Sequence, residues 1–237
     1  LTDIVTPQVA LVNNVAPAHL ERMGSLMGIA ETKGAIYTAL PADGVAVINA
    51  DDAFGAYFAE RASGNRLLRF GLEASADVTA RDVRTSAEGS QFTLLTPQGE
   101  VAITLPLPGR HNVLNALAAA SLALACGVSL STIAEGLAAV QPVPGRQIAR
   151  DLGNGVVLVD DSYNANPASL DAAMDALVAA AGESWLVLGD MRELGEQGGE
   201  LHVQAGRRAR ESGIARLYAL GTLRAMAATA CGDGARG

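Results

Sequence analysis

The chain has 237 residues, enough for two medium domains that each bury a core of their own. About half of the residues are hydrophobic (49%), and no apolar run approaches the roughly 20 residues that cross a bilayer, which argues against membrane insertion. The formal net charge of -8 and the lack of a basic stripe argue against nucleic-acid binding.

The first part of the chain alternates strand and helix signals. Val9–Val15 and Gly44–Asn49 are short apolar runs typical of buried parallel strands. Each run is followed by a helical stretch, the first ending near Leu40 and the second near Ala62. Ser25 is suitably placed to cap the first of these helices. The alternation predicts an α/β domain.

A different pattern follows from Asp77 to Val140. Val78–Val83, Gln91–Leu95 and Val101–Leu105 are strand-like runs separated by short turns, which predicts a small antiparallel meander. Two helices are then predicted, at Arg110–Cys126 and Leu130–Val140.

The segment Gln141–Gly145, with two prolines and a glycine, predicts a domain boundary. Beyond it, strand patterns at 155–159, 184–188 and 215–220 alternate with helical patterns at about 168–181, 200–212 and 222–230. This rhythm predicts a second, parallel α/β sheet. Cys126 and Cys231 lie in alanine-rich helical stretches, so we expect core thiols and no disulfide.

Two residues that follow the first strand have side chains suited to metal or phosphate chemistry. His19 lies beyond the carboxyl end of the strand, where open α/β sheets bind ligands, although a loop histidine held by backbone hydrogen bonds is the simpler interpretation of His19 alone. Lys33 is the only lysine among 17 basic residues. Because arginine supplies charge equally well, a retained lysine indicates chemistry that needs an amine, unless it is a chance surface residue.

The most specific string of the first domain is Pro106–Asn115, which reads PLPGRHNVLN. Gly109 permits close backbone approach, and Asn112 and Asn115 lie on one face of the following helix. An asparagine amide carries both a donor and an acceptor and therefore matches the N6 and N7 edge of adenine. A helix cap is the structural alternative for Asn112.

Further strings follow strand patterns elsewhere. Residues 160–167 read DDSYNANP, and residues 188–195 read LGDMRELG with His202 seven positions later. An Asx-turn accounts for the aspartates and asparagines of the first string but not for the full octamer. The pair Asp51–Asp52 also follows a strand, where two aspartates are commonly just a turn.

Together these strings resemble the Mur ligases, a family of ATP-dependent amide-bond ligases, from about residue 4 to residue 221. The segment from Gly109 is similar to the family motif G-x-H-N-x-x-N-x-x-A-A. The octamer and the LGDMRELG string are similar to those of members that add D-alanyl-D-alanine. Members that add other amino acids more often show D-Y-A-H-x-P.

The resemblance implies a fold and a reaction. Residues 1–144 would be the later part of a P-loop-type central ATPase domain, and residues 145–237 a Rossmann-like C-terminal domain cut short at its end. In the reaction, ATP phosphorylates a UDP-N-acetylmuramoyl tripeptide, and the amine of D-alanyl-D-alanine then attacks the acyl phosphate during peptidoglycan synthesis. The cofactors would be ATP and Mg²⁺, and the protein would be a cytoplasmic monomer.

The resemblance also implies a metal site. In the family a histidine in the loop after the strand binds magnesium and a lysine on the next helix is carbamylated, roles that fall on His19 and Lys33. Only a neutral amine attacks carbon dioxide, and a buried lysine can lose its proton whereas arginine cannot. The carbamate oxygens then suit magnesium, a hard cation.

The remaining implied site residues divide into two groups. Nucleotide contacts fall on His111, Asn112, Asn115, Arg146, Asp161 and Asn49. Substrate contacts fall on Tyr163, Asn164, Asn166, Asp190 and Glu193. His202 would orient the loop that carries the last two.

The chain contains no G-x-x-x-x-G-K-[ST] string to cradle β- and γ-phosphates, so we expect no ligase activity from it alone. Another Mur-type or folylpolyglutamate-type ligase is an alternative that the octamer disfavours, and a non-catalytic nucleotide-binding module is a second. A dehydrogenase is disfavoured because no G-x-G-x-x-G follows a strand.

Overall fold

The computed structural model of the chain describes residues 4–16, 23–86, 88–232 and 235–236. These residues form two compact units. The first consists of the chain up to Val15 together with Met27–Pro142, and the second of the chain from Val143 onward together with the stretch that ends at Leu26. Within the described part, no helix combines the length and the apolarity that crossing a membrane requires.

The first unit is built on a three-stranded parallel sheet in the order β1–β2–β3. The strands and their connecting helices are β1 (Val9–Val12), α1 (Leu26–Thr38), β2 (Val45–Asn49), α2 (Gly55–Arg61) and β3 (Arg66–Phe70). All five residues of β2 are buried, as expected for a continuous apolar run in the middle of a sheet.

A buried tyrosine joins the first two strands. The Tyr37 hydroxyl on α1 accepts a hydrogen bond from the Val12 N–H at 2.8 Å and donates one to the Val47 carbonyl at 2.8 Å. Burial raises the pKa of Tyr37 to about 12. The hydroxyl therefore stays protonated and fastens the carboxyl end of β1 to its neighbour.

The predicted meander is confirmed. It consists of β4 (Thr79–Ser86), β5 (Gly89–Thr96) and β6 (Gly99–Leu105), paired antiparallel in that order. A bulge between Arg81 and Arg84 interrupts β4, and Asp82 inside it has a φ of 55°.

Two helices complete the first unit, α3 (Arg110–Ala125) and α4 (Leu130–Ala138). α3 is alanine-rich and buries one face, including Leu117, in the core shared with the meander. Cys126 ends α3 and is exposed, so the expectation of a core thiol is wrong there, whereas Cys231 is buried as expected. Neither cysteine forms a disulfide.

The second unit begins with a hairpin that the sequence analysis did not predict. β7 (Ile148–Gly153) pairs antiparallel with β8 (Val156–Asp160). The expectation that residues 155–159 belong to a parallel sheet is therefore wrong. Asn154 and Gly155 both have positive φ, 54° and 76°, as a two-residue type I′ hairpin turn requires, and Asn-Gly is the strongest short signal for that turn.

A parallel sheet forms the rest of the second unit, in the order β11–β10–β9. Its elements are α5 (Pro167–Ala179), β9 (Trp185–Leu188), α6 (Gly198–Glu211), β10 (Arg216–Ala219), α7 (Arg224–Cys231) and β11 (Ala235–Arg236). Leu188 and Leu217 are buried in the core with Met174, whereas Trp185 and Val187 on β9 are exposed. The predicted α/β class is confirmed in both units.

Candidate functional site

Polar groups gather at the carboxyl edge of the first sheet. The chain leaving β1 carries Asn13 and Asn14, and β2 ends at Asn49. The Asn49 Nδ2 donates to the Asn13 carbonyl at 2.8 Å, and the Lys33 Nζ donates to the Asn14 carbonyl at 3.0 Å. The backbone after β1 is therefore held from both neighbouring elements.

Lys33 borders a cavity of about 320 Å³ at this edge. The cavity is lined by Leu11, Val12, Asn13, Asn14, Lys33 and Ile36. Lys33 itself is exposed, so the described residues do not supply the burial that would favour a neutral amine. Its carbamylation stays a prediction.

His19 lies outside the described residues, and its metal-binding role stays a prediction. Among residues 4–16, 23–86, 88–232 and 235–236, no group of three or more His, Cys, Asp or Glu side chains is arranged to hold a metal ion.

The segment Asn49–Asp52 fastens loops to the sheet edge. Asn49 is only 4% exposed, and its Oδ1 accepts from the Asp51 N–H at 3.0 Å while its Nδ2 holds Asn13. Asp52 accepts from the Val15 N–H at 2.8 Å, and Asp51 accepts from the three N–H groups of residues 72–74. Both ends of the Asn49 amide bind inside the protein, and its nucleotide contact stays a prediction.

The start of α3 presents the residues predicted to bind adenine. Gly109 has a φ of 90°, and a Cβ there would lie 2.7 Å from Cε1 of the half-buried His111, so glycine is needed at this position. Asn112 does not cap the helix, because its Nδ2 donates to the Pro108 carbonyl at 2.8 Å and no side chain caps α3. Asn115 is exposed, and its Nδ2 donates to the Asn112 Oδ1 at 3.4 Å.

Asn13 joins this helix to β1, and the sequence analysis did not single it out. Its Nδ2 donates to the Asn115 Oδ1 at 3.0 Å, across 102 positions of sequence. The Asn13 Oδ1 is buried and has no hydrogen-bond partner among the described residues. The signal that could have identified Asn13 is its position directly after a parallel strand, the same signal that drew attention to His19.

In the second unit, three predicted site residues share one corner. The Arg146 guanidinium carbon lies 4.2 Å from the centroid of the Tyr163 ring. The Tyr163 N–H donates to the Gly145 carbonyl at 3.0 Å, and the Gln147 N–H donates to the Asp161 Oδ1 at 3.2 Å. Arg146 and Tyr163 are exposed, so the planar guanidinium keeps donors available for an anion.

The two asparagines of the octamer differ in their surroundings. Asn166 caps α5: its Oδ1 accepts from the Ser169 N–H at 3.0 Å, and the Ser169 Oγ accepts from the Asn166 N–H at 3.1 Å. Asn164 is exposed. The substrate contacts of both stay predictions, and Asn166 has a structural role beside the predicted one.

Asp190 ties the ends of two strands together. Its Oδ2 accepts from the Thr222 N–H and hydroxyl, both at 2.7 Å, and its Oδ1 accepts from the Leu223 N–H at 3.0 Å. The Thr222 hydroxyl, followed by the two backbone N–H groups, lowers the pKa of Asp190 to about 2. Its substrate contact stays a prediction, because these bonds already engage both oxygens.

The loop after β9 is held by His202. This side chain is 1% exposed; its Nε2 accepts from the Met191 N–H at 3.1 Å, and its Nδ1 lies 2.7 Å from the Gly198 carbonyl. Since a carbonyl only accepts, Nδ1 carries the proton of a neutral ring. The predicted orienting role of His202 is confirmed, whereas Glu193, exposed with a φ of 61°, keeps a predicted role only.

Two family models match the chain. The model described as Mur ligase middle domain matches residues 1–123, and the model described as Mur ligase, glutamate ligase domain matches residues 145–237.

Curated relatives and solved structures agree with these matches. A UDP-N-acetylmuramoyl-tripeptide--D-alanyl-D-alanine ligase of Escherichia coli is 43% identical over 98% of this chain and 51% of its own length. A crystal structure of MurF from Acinetobacter baumannii has a TM-score of 0.93 at 35% identity, covering 99% of this chain and 51% of that one. A MurF ligase from Thermotoga maritima in complex with ADP has a TM-score of 0.78 at 28% identity, covering 92% and 49%. The chain thus spans about half the length of the curated relatives it matches.

Proposed function

The chain belongs to the Mur ligase family, and on that premise we propose that it contributes nucleotide and substrate sites to an ATP-dependent ligase of peptidoglycan synthesis. The ligase would join D-alanyl-D-alanine to a UDP-N-acetylmuramoyl tripeptide through an acyl phosphate. Residues 1–144 would bind the base of the nucleotide, and residues 145–237 would bind substrate and add the nucleotide contacts of Arg146 and Asp161. The identity of 43% to the Escherichia coli ligase, together with the DDSYNANP octamer, favours this acceptor over other amino acids.

The observation that carries the proposal is the polar edge of the first sheet. Asn13, which is 102 positions away in sequence, meets Asn115 and Asn112 of α3 there through a row of side-chain amides. Lys33 lies at the same edge, bound to the neighbouring Asn14 carbonyl. Amides that combine donors and acceptors suit a purine base, and the carboxyl edge of a parallel sheet is where such folds bind ligands.

The donor chemistry at Lys33 fits magnesium only after carbamylation. A protonated amine repels a cation, whereas a carbamate presents oxygens beside a cavity of about 320 Å³. Lys33 and His19 would then hold the ion, which supplies charge neutralisation for phosphate oxygens when bound. Asn14 positions the Lys33 amine through its carbonyl.

In the second unit, Arg146 would bind a phosphate. One face of its guanidinium stacks on the Tyr163 ring, so the N–H groups at the edge of the guanidinium remain available to an anion. Asp161 keeps the adjoining backbone in place through the Gln147 N–H and would bind the ribose or magnesium-bound water. The octamer residues Tyr163, Asn164 and Asn166 would contact the incoming dipeptide.

The nucleotide site is tested by titrating the 237-residue chain with ADP and Mg²⁺ in a calorimeter. Asn115→Ala should weaken ADP binding about tenfold, the size of one lost base contact. The matched control is Asn65→Ala, which removes an asparagine at the opposite, amino-terminal end of β3 and should leave ADP affinity unchanged. Equal ADP affinity in the wild type and in Asn115→Ala would show that α3 is not part of the nucleotide site.

A further inference from the structure

Three asparagine amides form a row across the sheet edge and the start of α3. The Asn13 Nδ2 donates to the Asn115 Oδ1 at 3.0 Å, the Asn115 Nδ2 donates to the Asn112 Oδ1 at 3.4 Å, and the Asn112 Nδ2 donates to the Pro108 carbonyl at 2.8 Å. Asn112 and Asn115 each use the NH₂ group in one direction and the oxygen in the other, whereas Asn13 contributes only its NH₂ group.

The direction of this row is set at one end. A backbone carbonyl only accepts hydrogen bonds, so Asn112 must turn its NH₂ group toward Pro108 and its oxygen toward Asn115. Asn115 must then donate to Asn112 and accept from Asn13. The orientation of the exposed Asn115 amide is therefore determined by its two neighbours.

Asn13 is held in place independently of the row. Its carbonyl accepts from the buried Asn49 Nδ2 at 2.8 Å, and Asp52 holds the Val15 N–H at 2.8 Å. The Asn13 side chain therefore reaches α3 from a backbone that is fastened to β2. Its donor stays directed at the Asn115 oxygen.

We propose that Asn13 is a positioning residue that makes the nucleotide site selective for a 6-amino purine over a 6-oxo purine. The inference rests on the proposed function, in which α3 contacts the base. The Asn115 amide retains a second lone pair and a second N–H for a ligand. A 6-amino purine offers a donor next to a ring acceptor and matches this orientation.

A 6-oxo purine presents two acceptors on the same edge, O6 and N7. The oriented Asn115 amide can donate to N7, but its oxygen then faces the O6 acceptor. A flipped amide could donate to O6 instead, but the flip would set the Asn115 oxygen against the Asn112 oxygen, and the Asn115 NH₂ against the Asn13 NH₂. Asn13 and Asn112 together therefore hold the orientation that makes two hydrogen bonds with a 6-amino base and one with a 6-oxo base.

Asn13→Asp tests this inference because it has the same shape but only accepts hydrogen bonds. In the variant the Asn115 NH₂ turns toward the new carboxylate, which reverses the amide presented to the base. ADP and IDP are each titrated into the 237-residue chain with Mg²⁺. We expect the wild type to bind ADP more tightly than IDP. In Asn13→Asp, the ratio of the ADP affinity to the IDP affinity should fall about tenfold, the size of one base contact.

The ratio of the ADP affinity to the IDP affinity distinguishes a reoriented Asn115 amide from an effect of the added charge and from partial unfolding of the variant. An added negative charge repels both diphosphates equally, and a partly unfolded variant loses both ligands equally. Asn65→Asp adds the same charge at the opposite, amino-terminal end of β3 and should keep the wild-type ratio. Asn13→Ala, which removes the donor without adding charge, should also lower the ratio.

A second measurement uses NMR to test the row of hydrogen-bonded asparagine amides in the absence of a nucleotide. The side-chain NH₂ signals of Asn112 and Asn115 are assigned in ¹⁵N-labelled protein by their loss in the alanine variants. Asn13→Asp should shift both signals, because Asn112 is linked to residue 13 through the hydrogen bonds of Asn115. An unmoved Asn112 signal would refute the row itself.

The possible failures are distinguishable. If the wild type binds ADP and Asn13→Asp keeps the wild-type ratio, Asn13 does not set base selectivity and the inference is wrong. If the wild type binds neither nucleotide, the adenine site of the proposed function fails first, and the inference fails with it.

Discussion

Lys33 illustrates what one side chain contributes at the carboxyl edge of the first sheet. It is the only lysine of the chain, and its Nζ donates to the Asn14 carbonyl at 3.0 Å. Arginine could make the same hydrogen bond, so that contact does not explain the lysine. Carbamate formation would explain it, because only an amine can carry the carboxylate group.

We predict that Lys33 forms a carbamate when ADP and Mg²⁺ are present. The protein is equilibrated with ¹³C-labelled bicarbonate, and a carbamate resonance is sought by NMR. Lys33→Arg should abolish the resonance while retaining the positive charge and the terminal amine. Since the chain has one lysine, a signal that persists in Lys33→Arg comes from the chain terminus, and the prediction is then wrong.

At the scale of elements, side chains at strand ends act on neighbouring loops. Asp51 accepts from three N–H groups of residues 72–74, and Asp190 accepts from Thr222 and Leu223. Each carboxylate follows one strand and holds the loop after the adjacent strand. These bonds keep the carboxyl edges of both sheets in order without contributing to the apolar cores.

The Asp190 contacts predict a pH dependence of stability. Its pKa is about 2 in the folded protein, below the ordinary 3.8, so folding favours the carboxylate. The stabilisation is therefore complete above about pH 4 and is lost as the pH falls toward 2. Asp190→Asn should lower the urea midpoint of unfolding near neutral pH, and the difference from the wild type should shrink between pH 4 and pH 2.

The matched control is Asp43→Asn, which changes an exposed aspartate in a turn of the first unit. It should leave the urea midpoint nearly unchanged near neutral pH. A difference between wild type and Asp190→Asn that stays constant throughout the acid range would show that the carboxylate charge is not what stabilises this loop.

At the scale of the whole molecule, each unit has its own apolar core and its own polar sheet edge. The carboxyl edge of the first sheet carries the asparagine amides that we propose bind the base, but the chain has no G-x-x-x-x-G-K-[ST] loop. In that loop, backbone N–H groups and a lysine hold the phosphates that must be transferred.

We therefore predict that the 237-residue chain does not ligate, even where it binds ADP. Phosphate release is measured with ATP, the UDP-N-acetylmuramoyl tripeptide and D-alanyl-D-alanine together, with the full-length Escherichia coli ligase as positive control. If the chain released phosphate only when the UDP-N-acetylmuramoyl tripeptide and D-alanyl-D-alanine were both present, the prediction would be contradicted.

Local patterns were sufficient for much of the molecule. The apolar runs of β1 and β2 and the separated strands of the meander predicted elements that the structure confirms. The octamer and the Gly109 segment indicated the family on their own, because a long string of specific residue types rarely arises by chance. These predictions succeeded because strand and helix periodicity and short motifs depend on residues that are close in sequence.

Long-range pairing decided the rest. The hairpin of Ile148–Gly153 with Val156–Asp160 is an exception, because the Asn154-Gly155 turn between its strands is itself a local signal. The contact between Asn13 and Asn115 joins residues 102 positions apart, and only the packing of α3 beside β1 brings their amides together. A sequence alone shows which donors and acceptors a residue carries. Which of them pair inside the protein, and which remain for a ligand, depends on the tertiary structure, because a hydrogen bond needs two groups within about 3 Å of each other.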